Sequence, residues 1–177
     1  IMGREDEEIS ALVHDQFIGE GIDVLTDHQA VRVIVEGDRK ILVCEHHGDE
    51  IKVDFDEILV AVGRVANTQG FGLEELGVEI SPRGTIESNE ILQTSFPNIF
   101  CAGDVAGPYQ FTHTAGHQAW YAAINALIGH FKSFKADYRV IPWSTFIDPE
   151  VARVGLNETE AQQTGIKYEV TVYGMDD

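Results

Sequence analysis

Thr94-Ser-Phe-Pro-Asn-Ile-Phe-Cys-Ala-Gly-Asp104 is the stretch that decides the expected fold, because it combines a turn, a short apolar strand, a glycine and a carboxylate. The proline and asparagine at 97–98 indicate the turn, and residues 99–102 form a continuous apolar run typical of a strand buried on both faces. Gly103 permits a close approach to the backbone. Asp104 then lies at the carboxyl end of the strand, where α/β sheets bind ligands. A carboxylate in this position is suited to accept hydrogen bonds from sugar or polyol hydroxyls.

A long helix is predicted soon after this stretch, over residues 112–129. Its many alanines and glycines keep it slim for close packing, and its amino end is electropositive because of the helix dipole. His113 and His117 lie four residues apart on one face, which would suit a metal site. No third ligand is in view in the sequence, so a helix face without metal is the preferred interpretation.

Composition and charge restrict the classes of partner. The 177 residues include 30 acidic and 12 basic ones, for a net charge of −18, which disfavours nucleic acid and anionic lipid as partners. No apolar stretch approaches the roughly 20 residues needed to span a bilayer, and the amino end lacks the apolar region of a signal peptide. Cys44 and Cys101 each fall in an apolar run, which predicts two buried thiols in a reducing, cytoplasmic compartment.

The first third of the chain predicts a helix followed by strands. Apolar residues at helical spacing and acidic residues in the first turn predict a helix over residues 5–20. A short strand at 22–25, a meander with strands around 31–35, 41–45 and 51–55, and a buried strand at 57–64 are expected next. His46 and His47 lie at the second turn of the meander, where a solvated turn is preferred over a metal site.

Glycine spacing at residues 70–75 raises the question of a phosphate-binding loop. Glu75 stands where the third glycine would be and adds negative charge, so a short helix over 73–76, capped by Gly77, is the better interpretation. Strands are predicted at 78–80 and 85–94. The last part predicts two strands around a turn at 148–150, a helix begun by the capping pair Asn157 and Glu160, and an alternating strand over 168–172.

Three motifs of this sequence resemble motifs of the class I pyridine nucleotide-disulfide oxidoreductases. The flavin motif T-x-x-P-x-I-F/Y-A-x-G-D is matched by the opening stretch, with Cys101 in place of the usual alanine. The A-T-G-R-x-P-N element is matched by Ala61-Val-Gly-Arg-Val-Ala-Asn67, with Val62 at the threonine position and Ala66 in place of proline. Residues 142–155 match P-W-x-x-F-x-D-P-E-V-A-x-V-G, which resembles the opening of the family's dimerisation domain. Within the family, the mercuric reductase and dihydrolipoamide dehydrogenase branch is the most similar.

The resemblance implies a mixed α/β and α+β fold in three pieces. Residues 1–66 would form the second half of a Rossmann-like NAD(P)-binding domain with its meander. Residues 67–132 would form the carboxyl-terminal segment of the FAD-binding domain. Residues 133–177 would begin an incomplete dimerisation domain.

Site residues are implied by the same resemblance. FAD would be contacted by Gly103, Asp104 and the run Gln110, Phe111, Thr112 and His113 at the amino end of the long helix. The nicotinamide cofactor would pass near Gly63, and its adenine would meet the backbone near Ala30, just after the strand expected at 22–25. No catalytic residue and no metal ligand of the family falls on this sequence.

The implied parent protein is a homodimer that acts on a small molecule and has no nucleic-acid or membrane partner. It would pass electrons from NAD(P)H through FAD to a redox disulfide, and then to a thiol, disulfide or metal-ion substrate. The 177 residues contain no G-x-G-x-x-G loop and no C-x4-C pair, so the chain is interpreted as an internal fragment that is inactive alone. Two alternatives remain: a fragment of a flavin reductase that lacks the disulfide, such as an NADH oxidase, and a standalone non-enzymatic binding module of the same fold.

Overall fold

The computed structural model of the protein describes residues 1–174. The chain forms two compact units, one from Ile1–Ala61 together with the residues from Pro142 onward, and one from Val62–Ile141. Among the described residues, no helix is long and apolar enough to cross a membrane. The domain boundaries predicted after residues 66 and 132 stay a prediction.

In the first unit, helix α1 covers Glu7–Gly19. Its first turn carries Glu7 and Glu8, whose charges are favourable at the positive end of the helix dipole. Val13 is buried, whereas Leu12 is 49% exposed, so only part of the predicted apolar face is covered. The predicted helix is confirmed, with its ends moved inward by one or two residues.

The predicted meander is confirmed as an antiparallel sheet in the order β1-β2-β3. Its strands cover Gln29–Glu36, Arg39–His46 and Asp49–Phe55. The central strand β2 carries the buried residues of the sheet, which include Val43 and the predicted buried thiol of Cys44. His46 is the last residue of β2 and His47 lies in the turn that follows. The His46 ring is stacked on the His28 ring, with the two centroids 4.2 Å apart.

The first unit also contains a two-stranded sheet formed by β4, Pro142–Thr145, and β5, Val151–Val154. Trp143 lies opposite Arg153 in this sheet, and the guanidinium of Arg153 lies over the Trp143 ring, 4.5 Å from its centroid. Nη1 of Arg153 is 3.7 Å from Oε2 of Glu5, whose other carboxylate oxygen accepts a 2.9 Å hydrogen bond from the Trp143 indole. The side chains of Arg153 and Glu5 are only 9% and 7% exposed.

Helix α4, Glu158–Gln163, begins with the predicted capping box. The Asn157 side chain accepts from the Glu160 N–H at 2.8 Å, and the Asn157 N–H donates to the Glu160 carboxylate at 3.2 Å. That carboxylate also accepts a hydrogen bond from Arg153. Burial alone would raise the pKa of Glu160, but the hydrogen bonds from Arg153 and Asn157 lower it below its ordinary value.

The second unit consists of loops and two helices. Helix α2 covers Leu73–Leu76 with Gly77 as its left-handed cap, and helix α3 covers Thr112–Ile128, so both predicted helices are confirmed. A small core of Val78, Ile86 and Cys101 holds the loops together. The prediction that Cys101 is buried is therefore also confirmed.

Several predicted strands are wrong. Residues 22–25, 57–64 and 168–172 are not strands, and the segments at 78–80, 85–94 and 99–102 contribute only the isolated bridges Ile80–Ile86 and Gln93–Phe100. The apolar run at 57–64 is also not buried, since Leu59 and Val62 are 92% and 88% exposed. A strand needs a neighbour to hydrogen-bond with its backbone, and within residues 1–174 no strand pairs with these segments.

Gly103 begins the loop that carries Asp104. Its φ of +84° is in the left-handed region, and its carbonyl accepts a 2.9 Å hydrogen bond from the Ala106 N–H. A Cβ at this position would lie 3.5 Å from the Cβ of Ala115 in α3. A Cβ there would be in ordinary van der Waals contact with α3, so the left-handed φ, and not a lack of space, is what favours glycine. The approach of a cofactor predicted at Gly103 stays a prediction.

The Arg153 cluster should contribute strongly to the stability of the first unit. Arg153→Met would leave the buried Glu5 carboxylate without its cation, which typically costs about 3–5 kcal/mol. The control is Arg39→Met, because the Arg39–Asp54 pair is 65% and 61% exposed and such pairs contribute at most about 1 kcal/mol. Free energies of unfolding from urea denaturation check both variants, and equal losses would contradict the assigned role of Arg153.

Alanine substitutions at Gly103 and Gly116 should change the free energy of unfolding in opposite directions. Gly103→Ala places a Cβ on a left-handed residue and should lower the free energy of unfolding by about 1–2 kcal/mol. Gly116→Ala in α3 meets open space and should raise it by about 0.5–1 kcal/mol, since alanine is favoured in helices. Thermal or urea denaturation of both variants provides the measurement. If Gly103→Ala left the free energy of unfolding unchanged, the left-handed conformation of residue 103 would be contradicted.

Candidate functional site

The Asp104 loop, residues 103–107, is held against α3 by one buried side chain. Oε1 of Gln118 accepts a 2.6 Å hydrogen bond from the Gly103 N–H. Its Nε2 donates to the Gly107 carbonyl at 2.5 Å and to the Tyr138 hydroxyl at 2.9 Å. Gln118 is 0% exposed, so both ends of the loop are fixed from inside the second unit.

Asp104 is presented to solvent between these two fixed points. Its side chain is 42% exposed, and Oδ2 lies 3.6 Å from Nη1 of Arg64. This distance is too long for a hydrogen bond, so the carboxylate can still accept bonds from a ligand. Arg64 belongs to the A-x-G-R element at residues 61–64 and follows Gly63, which is predicted to lie near the nicotinamide cofactor. No motif in the sequence links Arg64 to Asp104.

The amino end of α3 follows the loop directly. Phe111 precedes the helix in an extended conformation, and no side chain caps the first-turn amides. These N–H groups and the helix dipole create positive potential that favours negative charge nearby. Thr114, in the first turn, is 0% exposed and its Oγ1 has no hydrogen-bond partner.

Three near-parallel aromatic rings lie around the start of α3. The centroids of Tyr109 and Phe111 are 6.1 Å apart and those of Phe111 and His113 are 5.3 Å apart, with interplanar angles of 17° and 10°. Gln110 and Phe111 are half-buried, whereas Thr112 and His113 are exposed. The structure thus brings all the predicted flavin residues into one unit, on the Asp104 loop and the helix start next to it.

The two residues predicted to contact the nicotinamide cofactor are not in one unit. Gly63 belongs to the second unit, has a φ of +123° and would meet nothing within 4 Å of an added Cβ. Ala30 belongs to the first unit, where it is exposed in β1 opposite Cys44. The expectation that Ala30 follows a strand at 22–25 is wrong, because that segment is not a strand. The proposed contacts of both residues remain predictions.

Two ionisable side chains near the Asp104 loop are shifted toward their neutral forms. Burial raises the pKa of the Cys101 thiol, and a hydrogen bond with Ser88 only partly opposes it. Burial likewise raises the pKa of Tyr138, against the effect of its hydrogen bond from Gln118. Both groups therefore stay protonated at neutral pH, and Cys101 is not an activated nucleophile. Across residues 1–174, no group of three or more His, Cys, Asp or Glu side chains is arranged to hold a metal ion.

Structural comparison places the chain among flavin-dependent reductases. HOCl-induced flavoprotein disulfide reductase RclA from Escherichia coli superimposes with a TM-score of 0.78 and 26% identity, over 93% of this chain and 37% of RclA. LpdA from Mycobacterium tuberculosis gives a TM-score of 0.79 over 90% of this chain and 34% of LpdA, and at 23% identity it supports the fold alone. The mixed α/β fold predicted from the sequence is thereby confirmed.

Sequence comparison gives the same result. Dihydrolipoyl dehydrogenase of Chlamydia muridarum is 36% identical over 98% of this chain and 36% of its own length. Mercuric reductase of Staphylococcus aureus is 35% identical over 97% of this chain and 31% of its own length. The chain thus spans about a third of the length of these curated relatives.

Two family profiles divide the sequence between them. Residues 1–119 match the profile described as "Pyridine nucleotide-disulphide oxidoreductase". Residues 141–176 match the profile of the dimerisation domain of the same family. The first match covers well over half of the sequence, and the relatives and the fold agree with it. The chain belongs to the pyridine nucleotide-disulphide oxidoreductase family, whose members are FAD-dependent oxidoreductases.

Proposed function

We propose that this chain supplies the second half of the flavin site in an NAD(P)H-dependent flavoprotein reductase. The observation that supports this most strongly is the Asp104 loop, which presents a 42% exposed carboxylate and packs through Gly103 against Ala115 in the first part of α3. When bound, FAD would accept electrons from NAD(P)H and pass them to a redox disulfide. The acceptor beyond that is a thiol, a disulfide or a metal ion.

Asp104 and α3 would recognise different parts of the flavin. The carboxylate is an acceptor only when ionised, so it would bind donors such as the ribityl hydroxyls. The positive end of the α3 dipole would stabilise the negative charge that gathers on the reduced ring. Gln110, Phe111, Thr112 and His113 would line this part of the site, and Gly103 would let the backbone approach the cofactor.

The remaining functions would come from other parts of the chain. Gly63 and Ala30 would lie along the NAD(P) site, and the hairpin β4–β5 with α4, which falls in the match to the dimerisation domain, would contribute to a homodimer. The 177 residues hold neither a C-x4-C pair nor a G-x-G-x-x-G loop. The chain by itself is therefore proposed to be inactive and to bind no flavin.

The relatives differ in what they act on, since they include dihydrolipoyl dehydrogenases and mercuric reductases. This chain's substrate is accordingly proposed only as a thiol, a disulfide or a metal ion. A reductase without the redox disulfide, such as an NADH oxidase, is the second candidate. The third candidate, a standalone binding module, would be favoured by a purified 177-residue chain that is yellow with about one FAD per chain.

Removing the Asp104 carboxylate should weaken flavin binding. In the whole protein, Asp104→Ala should lower FAD affinity roughly ten- to a hundredfold, because a hydrogen bond to a charged group contributes ~1.5–3 kcal/mol. Asp104→Asn keeps one acceptor oxygen and should cost less. Fluorescence titration of the apoprotein with FAD provides the dissociation constants.

The control for Asp104→Ala is Glu90→Ala. Glu90 lies in the same unit, where its exposed carboxylate pairs with Lys135, and its loss should leave FAD affinity unchanged. If Asp104→Ala bound FAD as tightly as this control, Asp104 would not be a flavin ligand.

A further inference from the structure

We infer that Gln118 is a positioning residue for the Asp104 carboxylate, and through it for the flavin. This inference rests on the proposed function of Asp104 and deepens it. The residue lies in the middle of α3, five residues beyond His113, which ends the proposed flavin-binding run 110–113. Gln118 belongs to none of the three family motifs. It touches the site only through the backbone of the Asp104 loop.

The contacts of Gln118 fix the orientation of its amide. The Gly103 N–H can only donate and the Gly107 carbonyl can only accept, so Oε1 must face Gly103 and Nε2 must face Gly107. The second Nε2 hydrogen is taken by the Tyr138 hydroxyl. Each hydrogen atom of the amide therefore has a partner, and the side chain is fully buried.

The loop depends on this amide because its two ends are themselves buried. Gly103 and Gly107 are both buried, and both have positive φ. Without Gln118 the Gly103 N–H and the Gly107 carbonyl would lose partners in a place that water does not reach, which strongly disfavours the observed conformation. The loop would have to move to satisfy them, and the Asp104 carboxylate would move with it.

Asn125 offers a matched comparison on the same helix. It lies seven residues after Gln118, is 3% exposed and is bonded to the backbone of Ile91 and Phe134. Its amide therefore also satisfies backbone groups of loops, but these loops are not the Asp104 loop. A loss of flavin affinity that follows from general destabilisation should appear equally in both positions.

The experiment compares FAD dissociation constants in the whole protein. Gln118→Met keeps the length of the side chain and removes its hydrogen bonds, and it should weaken FAD binding roughly tenfold, the effect of losing one ordinary hydrogen bond at the cofactor. Asn125→Leu should change FAD affinity by less than about twofold. Urea denaturation of the two apoproteins records how much each substitution destabilises the fold.

A double-mutant cycle separates positioning from general packing. If Gln118 acts through Asp104, Gln118→Met should cost little further FAD affinity in a protein that already carries Asp104→Ala. If the two losses simply multiply, or if Gln118→Met weakens FAD binding no more than Asn125→Leu, the inference is overturned while the role of Asp104 stands. If Asp104→Ala alone has no effect, the proposed function fails and the inference fails with it.

Tyr138→Phe keeps the test decisive if Gln118→Met does not fold. This variant removes only the bond between Gln118 and the Tyr138 hydroxyl and keeps the ring. It should weaken FAD binding by roughly two- to fourfold, and again only when Asp104 is present. The same loss in the Asp104→Ala background would overturn the inference.

Discussion

The hydrogen bonds that one helix makes to the loop before it determine the geometry of the candidate site. A loop that turns back at a left-handed glycine buries backbone groups that its own residues cannot satisfy. Gln118 satisfies two of them, at Gly103 and Gly107, from a position inside α3. The slim face of the helix makes this possible, because the Cβ of Ala115 lies only 3.5 Å from where a Cβ on Gly103 would be. Asp104 can then project toward solvent from a backbone that is held at both ends.

The described sheets form where the pairing partner is close in sequence. The meander β1-β2-β3 and the hairpin β4–β5 connect neighbouring strands through short turns, so each strand finds its hydrogen bonds locally. The apolar segment 57–64 has the composition of a strand buried on both faces, but no strand in residues 1–174 pairs with it and Leu59 is 92% exposed. Composition alone therefore indicates which segments suit a strand, whereas pairing decides which of them become one.

This difference explains how much of the molecule could be predicted from the sequence. Local signals sufficed for the capping box at Asn157, the glycine cap of α2 and the alternating strands of the meander, because each depends on residues a few positions apart. The candidate flavin-binding residues were predicted through the resemblance to a family, and the structure places them in one unit. Their contact with the flavin stays a prediction. The contacts of Gln118, and of Arg153 with Glu5, join residues 11 to 148 positions apart. Neither a periodicity nor a motif encodes such contacts, so they appear only in the folded chain.

The central claim is that the Asp104 loop is the flavin-binding edge of this segment. The crystal structure of the whole protein with FAD bound tests it most directly. The account predicts a carboxylate oxygen of Asp104 within about 2.5–3.2 Å of a donor atom of FAD, with the hydrogen bonds of Gln118 to Gly103 and Gly107 retained. A structure in which FAD is fully bound while the Asp104 carboxylate makes no contact with it would contradict the account.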